Sequence, residues 1–489
     1  MEERMLENVL IGLYLGILGL LAFYGFHRTL LTFIFFKTKQ NVPKPARKFE
    51  ENELPVILVQ LPLFNERYVC ERLIDAVTRF NYPKDKMKIQ VLDDSTDDTT
   101  EIAQNKVAQV AEEGFQISLI HREDRTGYKA GALENGLAMT EADLVAVFDA
   151  DFIPPVNILR DTVDFFSEEN VGMVQARWGH INRGYSLLTS IQSLMLDGHF
   201  VIEHGARHRS GRFFNFNGTA GIWRVCTIHD AGGWQHDTLT EDMDLSYRAQ
   251  LRGWKFLYVD DIIAPAEIPV EMASFKSQQH RWAKGSIQVC KKMLPTILRA
   301  NVPFKVKMEA FFHLTNNFAY VLMIFLALLL LPNLMVRTEH GWREVILIDL
   351  PLFFGTTGSI GMFYITAHKE LYGRPWRALA KVPLLMSLGI GLSINNAKAV
   401  LEGVFGHETP FVRTAKHGVS EDKKDNNWRK KTYRARKGLV PAIELLFAAY
   451  FVVTIIVAFQ GGHFISIPFL LLFLIGYLYV GVFSIYQRR

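Results

Sequence analysis

At 489 residues the chain is too long for one ordinary globular core, so two or three structural units are expected. It is 49% hydrophobic with 36 Phe, and its apolar residues gather in long runs, which points to an integral membrane protein with a soluble insert. The formal net charge of +4 is too small to argue for nucleic acid, and the three scattered cysteines, Cys70, Cys226 and Cys290, read as unpaired thiols in a reducing compartment.

Residues 9–36 form one apolar run broken only by His27 and Arg28, longer than the roughly 20 residues a spanning helix needs. The run lacks a short apolar core with a small-residue cleavage site, so it reads as an uncleaved anchor. Lys37, Lys39, Lys44, Arg47 and Lys48 follow it, and the positive-inside rule then places the N-terminus outside and the next segment in the cytoplasm. Residues 1–50 are thus a membrane helix with a basic linker.

From about Leu54 to Pro265 short apolar runs alternate with helical periodicity. Strands are predicted over residues 55–61, 88–92, 117–121, 144–148 and 171–176, with helices over 67–80 and 99–113. This alternation predicts a mostly parallel α/β sheet covered on both faces, whose ligands sit at the carboxyl ends of the strands. A cytoplasmic catalytic domain over residues 51–268 and an amphipathic interface segment over 269–305 are expected.

Further spans are predicted at about 310–331, 345–367, 439–459 and 464–485, within a membrane unit of residues 306–489. A fifth candidate, 382–404, carries Asn395, Asn396, Lys398 and Glu402 and lies between two basic loops. Both loops should be cytoplasmic, so this segment is expected to lie at the interface or re-enter rather than cross. The loop at about 405–437 is rich in Lys and Arg and by itself suggests only lipid headgroups.

Acidic clusters fall where the strands should end. Asp93 and Asp94 suit either a cap for the following helix or recognition of a nucleotide. Asp149 and Asp151 are predicted on an extended segment, where residues i and i+2 face the same way and both carboxylates can meet one ion. Oxygen ligands of this kind, completed by substrate phosphates, suit Mg2+ or Mn2+. Lys129 at a helix start is either a phosphate-neutralising group or a surface lysine. Asp242, in Thr-Glu-Asp-Met-Asp, suits a general base that accepts the proton of an attacking sugar hydroxyl, and a first-turn helix acid as well. Gln278, Arg281 and Trp282 share one helix face, able to bind a leaving diphosphate and a sugar ring or to lie along a membrane interface.

Asp-Asp, Asp-x-Asp, Thr-Glu-Asp and Gln-x-x-Arg-Trp, in this order and flanked by apolar spans, resemble the family 2 glycosyltransferases of the cellulose-synthase type. The resemblance extends to the mannan and glucomannan synthases, their xyloglucan-backbone relatives and bacterial homologues. The stretches at 60–66, 129–133, 148–152, 216–224, 232–234, 240–245, 253–257 and 278–282 carry it. It implies a GT-A (Rossmann-like) nucleotide-sugar domain inserted between transmembrane helices. It also implies an inverting, Mg2+- or Mn2+-dependent transfer of hexose from UDP- or GDP-sugar onto a growing β-linked glucan or mannan, translocated through the same membrane helices. A non-processive transfer to a lipid acceptor is the alternative.

Carried onto this sequence, the resemblance implies that Asn65, Glu66, Asp93, Asp94, Lys129, Gln278 and Arg281 bind the nucleotide-sugar. Asp149 and Asp151 would serve the metal, and Asp242 would be the base. Trp282, Asn217, Gly218, Thr219 and Glu241 would face the acceptor. Phe411, Thr414 and Lys416 look like a gating loop that closes over bound nucleotide. Phe152 stands where cellulose synthases have His, and Asn217-Gly-Thr replaces their Cys-Gly-Ser, both of which favour the mannan-type branch. No cyclic-di-GMP-binding domain is expected after the last span. The expected setting is a multi-pass protein with a cytoplasmic catalytic domain, in a bacterial inner membrane. Its expected partners are the donor, the glycan, the lipid bilayer and either accessory secretion proteins or a second copy.

Overall fold

In the computed structural model, residues 2–340, 351–352, 354–407, 413–421, 428, 431 and 438–487 are described. The soluble part is built on seven strands: β1 (Ile57–Leu63), β2 (Met87–Asp93), β3 (Gln116–His121), β4 (Leu144–Val147), β5 (Val171–His180), β6 (Gly221–Arg224) and β7 (Lys255–Ala266). They lie in the order β3-β2-β1-β4-β6-β5-β7. All neighbours pair in parallel except β6, which runs antiparallel to both β4 and β5.

The β1 run Ile-Leu-Val-Gln-Leu-Pro-Leu is buried at every position but Pro62, as a strand covered on both faces must be. Two glutamines interrupt the apolar core and are bonded there through their amide nitrogens. Gln60 Nε2 donates to Gln90 Oε1 (3.1 Å) and to the Leu133 carbonyl (3.1 Å), and Gln90 Nε2 donates to the Gly136 carbonyl (2.9 Å). These bonds fasten the helix Tyr128–Ala138 to the sheet. Gly136 makes the approach close enough, since a Cβ there would stand 2.6 Å from Gln90 Oε1.

The sequence missed β6 and β7. β6 has only four residues, and β7 carries Asp260 and Asp261 in mid-strand. Partnering by β7 also extends β5 to His180, beyond the predicted end at 176.

The helices that matter for the site are α1 (Glu2–Thr38), α2 (Cys70–Val77), α3 (Thr99–Glu112), α4 (Tyr128–Ala138), α5 (Glu241–Leu251) and α6 (Met272–Arg299). Among the described residues four helices are long and apolar enough to cross a membrane: Arg4–Thr38, Phe318–His340, Val440–Gln460 and Phe464–Tyr486. Pro375–Gly391 and Ser393–Phe405 pass the same test only as a pair, bent by 46°. The predicted interfacial segment at 382–404 is therefore two helices.

The span predicted at 310–331 begins later, at Phe318. A separate helix, Phe304–Thr315, precedes it and ends at the Asn316-Asn317 pair. Its buried Glu309 is held by Arg207 Nε (2.9 Å) and by His27 Nε2 of α1 (3.1 Å). The span predicted at 345–367 lies partly outside the described residues.

Long helix α6 joins the two halves of the molecule. Lys276 Nζ donates to Glu444 Oε1 in helix Val440–Gln460 (2.5 Å), His280 Nε2 meets Glu402 Oε2 in helix Ser393–Phe405 (2.8 Å), and Gln487 Oε1 accepts from the Met272 N–H (2.6 Å). Both members of the Lys276–Glu444 pair are buried, so loss of either would strand a charge.

Candidate active site

The carboxyl ends of β1, β2 and β4 open onto a cleft with about 290 Å³ of free volume. Its other walls are the starts of α4 and α5, one face of α6, and residues 413–416.

At the β1–β2 end, neighbouring residues divide the work. Asp93 is fully buried, and its carboxylate accepts from the Ser95 N–H (3.1 Å) and the Thr100 hydroxyl (2.7 Å) and meets His121 Nδ1 (2.8 Å). It ties the loop to α3 and does not line the cleft. Asp94 does, and it receives Arg122 through Nε (2.9 Å) and Nη2 (2.6 Å). Asn65, with a left-handed φ of 56°, accepts from the Thr96 N–H (2.8 Å) and donates its own N–H to Ser95 Oγ (2.8 Å). It stitches the two loops together, while the adjacent Glu66 faces the cleft. Arg125 stacks 3.3 Å above the Phe64 ring and 5.4 Å from that of Tyr128 at the cleft mouth.

The centre of the cleft is an acid–lysine cluster. Helix α4 starts behind Gly127 (φ 75°) with Tyr128 (φ 49°) as its first residue, and Lys129 Nζ reaches Asp149 Oδ1 (2.5 Å) and the Gly218 carbonyl (2.9 Å). Burial works against the Lys129 ammonium, but Asp149, Glu241 and Asp242 together raise its pKa. Strand β4 stops at Val147, so Asp149 and Asp151 sit in a turn and not on the predicted extended segment. The turn still presents both to the cleft. Thr219 fixes it from behind, accepting the Asp149 N–H at 2.9 Å without lining the cleft. Burial raises the Asp149 carboxyl pKa against the pull of Lys129, and the side chain remains 35% accessible to cleft water.

Asp242 stands in the first turn of α5. Thr240 ahead of it makes no side-chain capping bond, and Asp242 Oδ1 accepts from the Met243 N–H (2.8 Å). Burial and the neighbouring Glu241 push the Asp242 carboxyl up to about 7, and burial raises Glu241 as well. Gly218, with φ 78°, keeps the space beside Asp242 open, since a Cβ there would sit 3.2 Å from Asp242 Oδ2.

On α6 the spacing holds: Gln278, Arg281 and Trp282 all line the cleft. Gly285 brings this helix against the Thr240 loop, where a Cβ would meet Thr240 Cγ2 at 2.6 Å and its backbone N at 3.0 Å.

Residues 413–421 form a strap over the cleft. Arg413 Nη1 lies 3.2 Å from Glu66 Oε2, and Thr414 Oγ1 accepts from Arg281 Nη2 at 2.8 Å. Lys416 Nζ pairs with Asp151 and also donates to the Glu267 carbonyl (3.0 Å). Phe411, expected in this loop, lies outside the described residues. Buried Glu267 anchors the strap, its carboxylate accepting the N–H groups of His417 (2.9 Å) and Val419 (3.1 Å). Burial pushes Glu66 up to about 8 in spite of Arg413. The sequence reading missed Arg122, Arg125, Arg413 and Glu267. The two arginines just ahead of Gly127 and Lys129 were the available signal, whereas nothing local marks Glu267.

Among the described residues no three His, Cys, Asp or Glu side chains converge into a metal cage. Of the carboxylates in the cleft, Asp149 and Asp151 lie on one turn and are each matched by a lysine, Lys129 and Lys416. That donor set fits a hard cation that completes its shell with phosphate oxygens and water.

Residues 55–285 match the family model described as "Glycosyltransferase like family 2". Glucomannan 4-beta-mannosyltransferase 2 of Arabidopsis thaliana is 36% identical over 389 residues, covering 77% of this chain and 70% of that protein. The chain belongs to the family 2 glycosyltransferases. Glucomannan 4-beta-mannosyltransferase 7 of the same plant is 36% identical over 68% of this chain and 62% of its own length. For probable glucomannan 4-beta-mannosyltransferase 9 of Oryza sativa subsp. japonica the figures are 32%, 87% and 82%. A mannosyltransferase of Pyrobaculum calidifontis, solved with GDP-mannose and Mn2+, superposes with a TM-score of 0.54 at 18% identity, covering 81% of this chain and all of that one. At that identity the likeness is one of fold, and this family 2 chain has the GT-A fold.

Proposed function

We propose that this family 2 glycosyltransferase polymerises a β-linked mannan or glucomannan from a nucleoside-diphosphate hexose at the cytoplasmic face of a membrane and passes the product among its own membrane helices. The observation that carries the reading is the single cleft that joins the raised Asp242, the Lys129–Asp149–Asp151 cluster and the Gln278–Arg281–Trp282 face. The names of the relatives support mannose as the transferred sugar.

In the proposed step an acceptor hydroxyl oxygen attacks the anomeric carbon while its proton passes to Asp242. The bond from that carbon to the diphosphate breaks, and its electron pair leaves with the diphosphate. A carboxyl poised near 7 suits this transfer, because a general base works best with a pKa near the operating pH. Arg281, Lys129 and Lys416 meet the charge on the leaving group, and Trp282 offers a flat apolar surface to the sugar ring. A bound divalent cation, held by Asp149 and Asp151, would neutralise the donor phosphates. Nucleoside contacts fall to Glu66, Asp94 and the Phe64–Arg125–Tyr128 stack, with Asn65 and Asp93 shaping the loops behind them.

The test is turnover by the purified full chain in lipid nanodiscs, given GDP-mannose, GDP-glucose or UDP-glucose with Mn2+ or Mg2+, with the product sized by chromatography. A long β-mannanase-sensitive polymer is expected from GDP-mannose. A glycolipid carrying one sugar as the sole product would overturn polymerisation and favour the lipid-acceptor reading.

A further inference from the structure

Behind the acceptor side of the cleft, the helix Leu187–Asp197 passes into a π-helical turn, Gly198–His204. Such wide turns are uncommon and recur at functional sites. This one projects His199 and His204 onto Asn217, the residue before Gly218, which itself borders Asp242. Asn217 Oδ1 lies 2.5 Å from His204 Nε2, and Asn217 Nδ2 lies 3.0 Å from His199 Nε2. His199 Nδ1 in turn meets Glu203 Oε2 at 2.8 Å, with Arg207 Nη1 3.7 Å from the same oxygen. His204 is fully buried, packed among Phe200, Phe214 and Tyr258. The Asn217 N–H donates to Gln175 Oε1 (3.0 Å), which fixes the backbone independently.

With a neutral His199, donor and acceptor logic allows one arrangement of this chain. Burial works against the Glu203 carboxylate, but Arg207 and His199 hold it well below the usual carboxylate range, so it only accepts. His199 therefore carries its proton on Nδ1, and its Nε2 accepts. The amide nitrogen of Asn217 must face His199, and its oxygen must face His204, which donates through Nε2. One N–H and one oxygen lone pair of the amide remain, both with fixed direction.

We infer that His199 and His204 are positioning residues that lock the Asn217 amide so that its remaining N–H and lone pair read the hydroxyls of an acceptor sugar seated between Asp242 and Trp282. The inference rests on the acceptor reading of the cleft given above. A locked amide discriminates hydroxyl orientation; a freely flipping one presents a donor and an acceptor interchangeably. Rejection of a sugar with a misplaced hydroxyl is the strong kind of selectivity, because it leaves the polar groups of the site unpaired.

The test compares His204→Phe, which keeps the ring but removes the donor, with His204→Gln, whose amide N–H restores it. Initial rates are measured with a nucleotide-hexose donor and a soluble β-mannohexaose acceptor, alongside donor hydrolysis without acceptor. His204→Phe should raise the acceptor KM about tenfold, as expected for one unpaired buried hydrogen-bonding group, with donor KM and donor hydrolysis changed less than about twofold. It should also narrow the preference for mannose- over glucose-terminated acceptors, and His204→Gln should recover most of both effects. An unchanged acceptor KM, or parallel changes in donor and acceptor KM, overturns the inference. If His204→Phe fails to elute as a monodisperse folded protein, His199→Phe, at a site 27% exposed, carries the same expectation and the same overturning result. Absence of transfer to mannohexaose by the unaltered protein would overturn the proposed function itself, and this inference with it.

Discussion

The sheet side of the cleft and the strap above it hold similar charges by different means. On the sheet side Lys129, Asp149 and Asp242 are fixed by strand ends and helix starts, with Thr219, Gly218 and Gly285 setting their spacing. The strap of residues 413–421 has no strand or helix. It is held by Glu267 from below and by three contacts into the cleft: Arg413 to Glu66, Thr414 to Arg281, and Lys416 to Asp151. Each of those contacts engages a side chain proposed to meet donor, diphosphate or metal. The rigid side is therefore proposed to define the chemistry, while the strap pairs with the same groups that the ligands would meet.

This comparison can be broken by substitution on either side. Removing the rigid side's base should have the largest effect. Asp242→Asn is expected to lower polymer formation about 10³-fold, within the range for loss of a general base, while donor affinity by isothermal titration changes less than threefold. Normal polymer yield would exclude Asp242 as the base. Next, Asp149→Asn or chelation by EDTA should lower transfer about 10²-fold, with Mn2+ or Mg2+ reversing the chelation but not the substitution. Indifference to EDTA would sink the metal assignment.

The pH profile is the third test. A carboxyl held near 7 accepts a proton only when ionised, so kcat/KM should rise with pH up to about 7 and fall about tenfold per unit below it. A profile flat down to pH 5 would argue against a raised Asp242. The smallest effect belongs to the strap. Lys416→Ala should lower kcat about fivefold to tenfold, as loss of one charge-assisted contact would, and should make residues 413–421 more sensitive to trypsin. A loss as large as that of Asp242→Asn would mean the strap is part of the fixed machinery, and the contrast drawn above would fail.

Much of the cleft lining was legible because each motif is local. Asp94, Asp149, Asp151 and Asp242 follow strand ends or open helices, and the i, i+3, i+4 spacing of Gln278, Arg281 and Trp282 requires only a helix. Asp93, and Thr219 carried over from the resemblance, do not line the cleft and instead brace it from within. What the sequence could not display are partnerships across the fold. Glu267 sits in an unremarkable Glu-Ile-Pro stretch and becomes the strap's anchor only when β7 brings it beneath residues 416–419. Gln60 and Gln90 look like defects in apolar strands until α4 lies over them. The helix break falls at the polar stretch Thr315-Asn316-Asn317, which the predicted span 310–331 ran across.

Helix α6 has a consequence for anyone who would dissect this protein. One face supplies Gln278, Arg281 and Trp282 to the cleft, and other residues along it are bonded into the membrane bundle through Lys276–Glu444, His280–Glu402 and Met272–Gln487. A soluble fragment ending near residue 268 would keep the sheet and Asp242 but lose a wall of the cleft and the strap. Crystallisation or screening on such a fragment would report on a cleft without its roof, and detergents that loosen the bundle should inactivate the enzyme before they unfold the sheet.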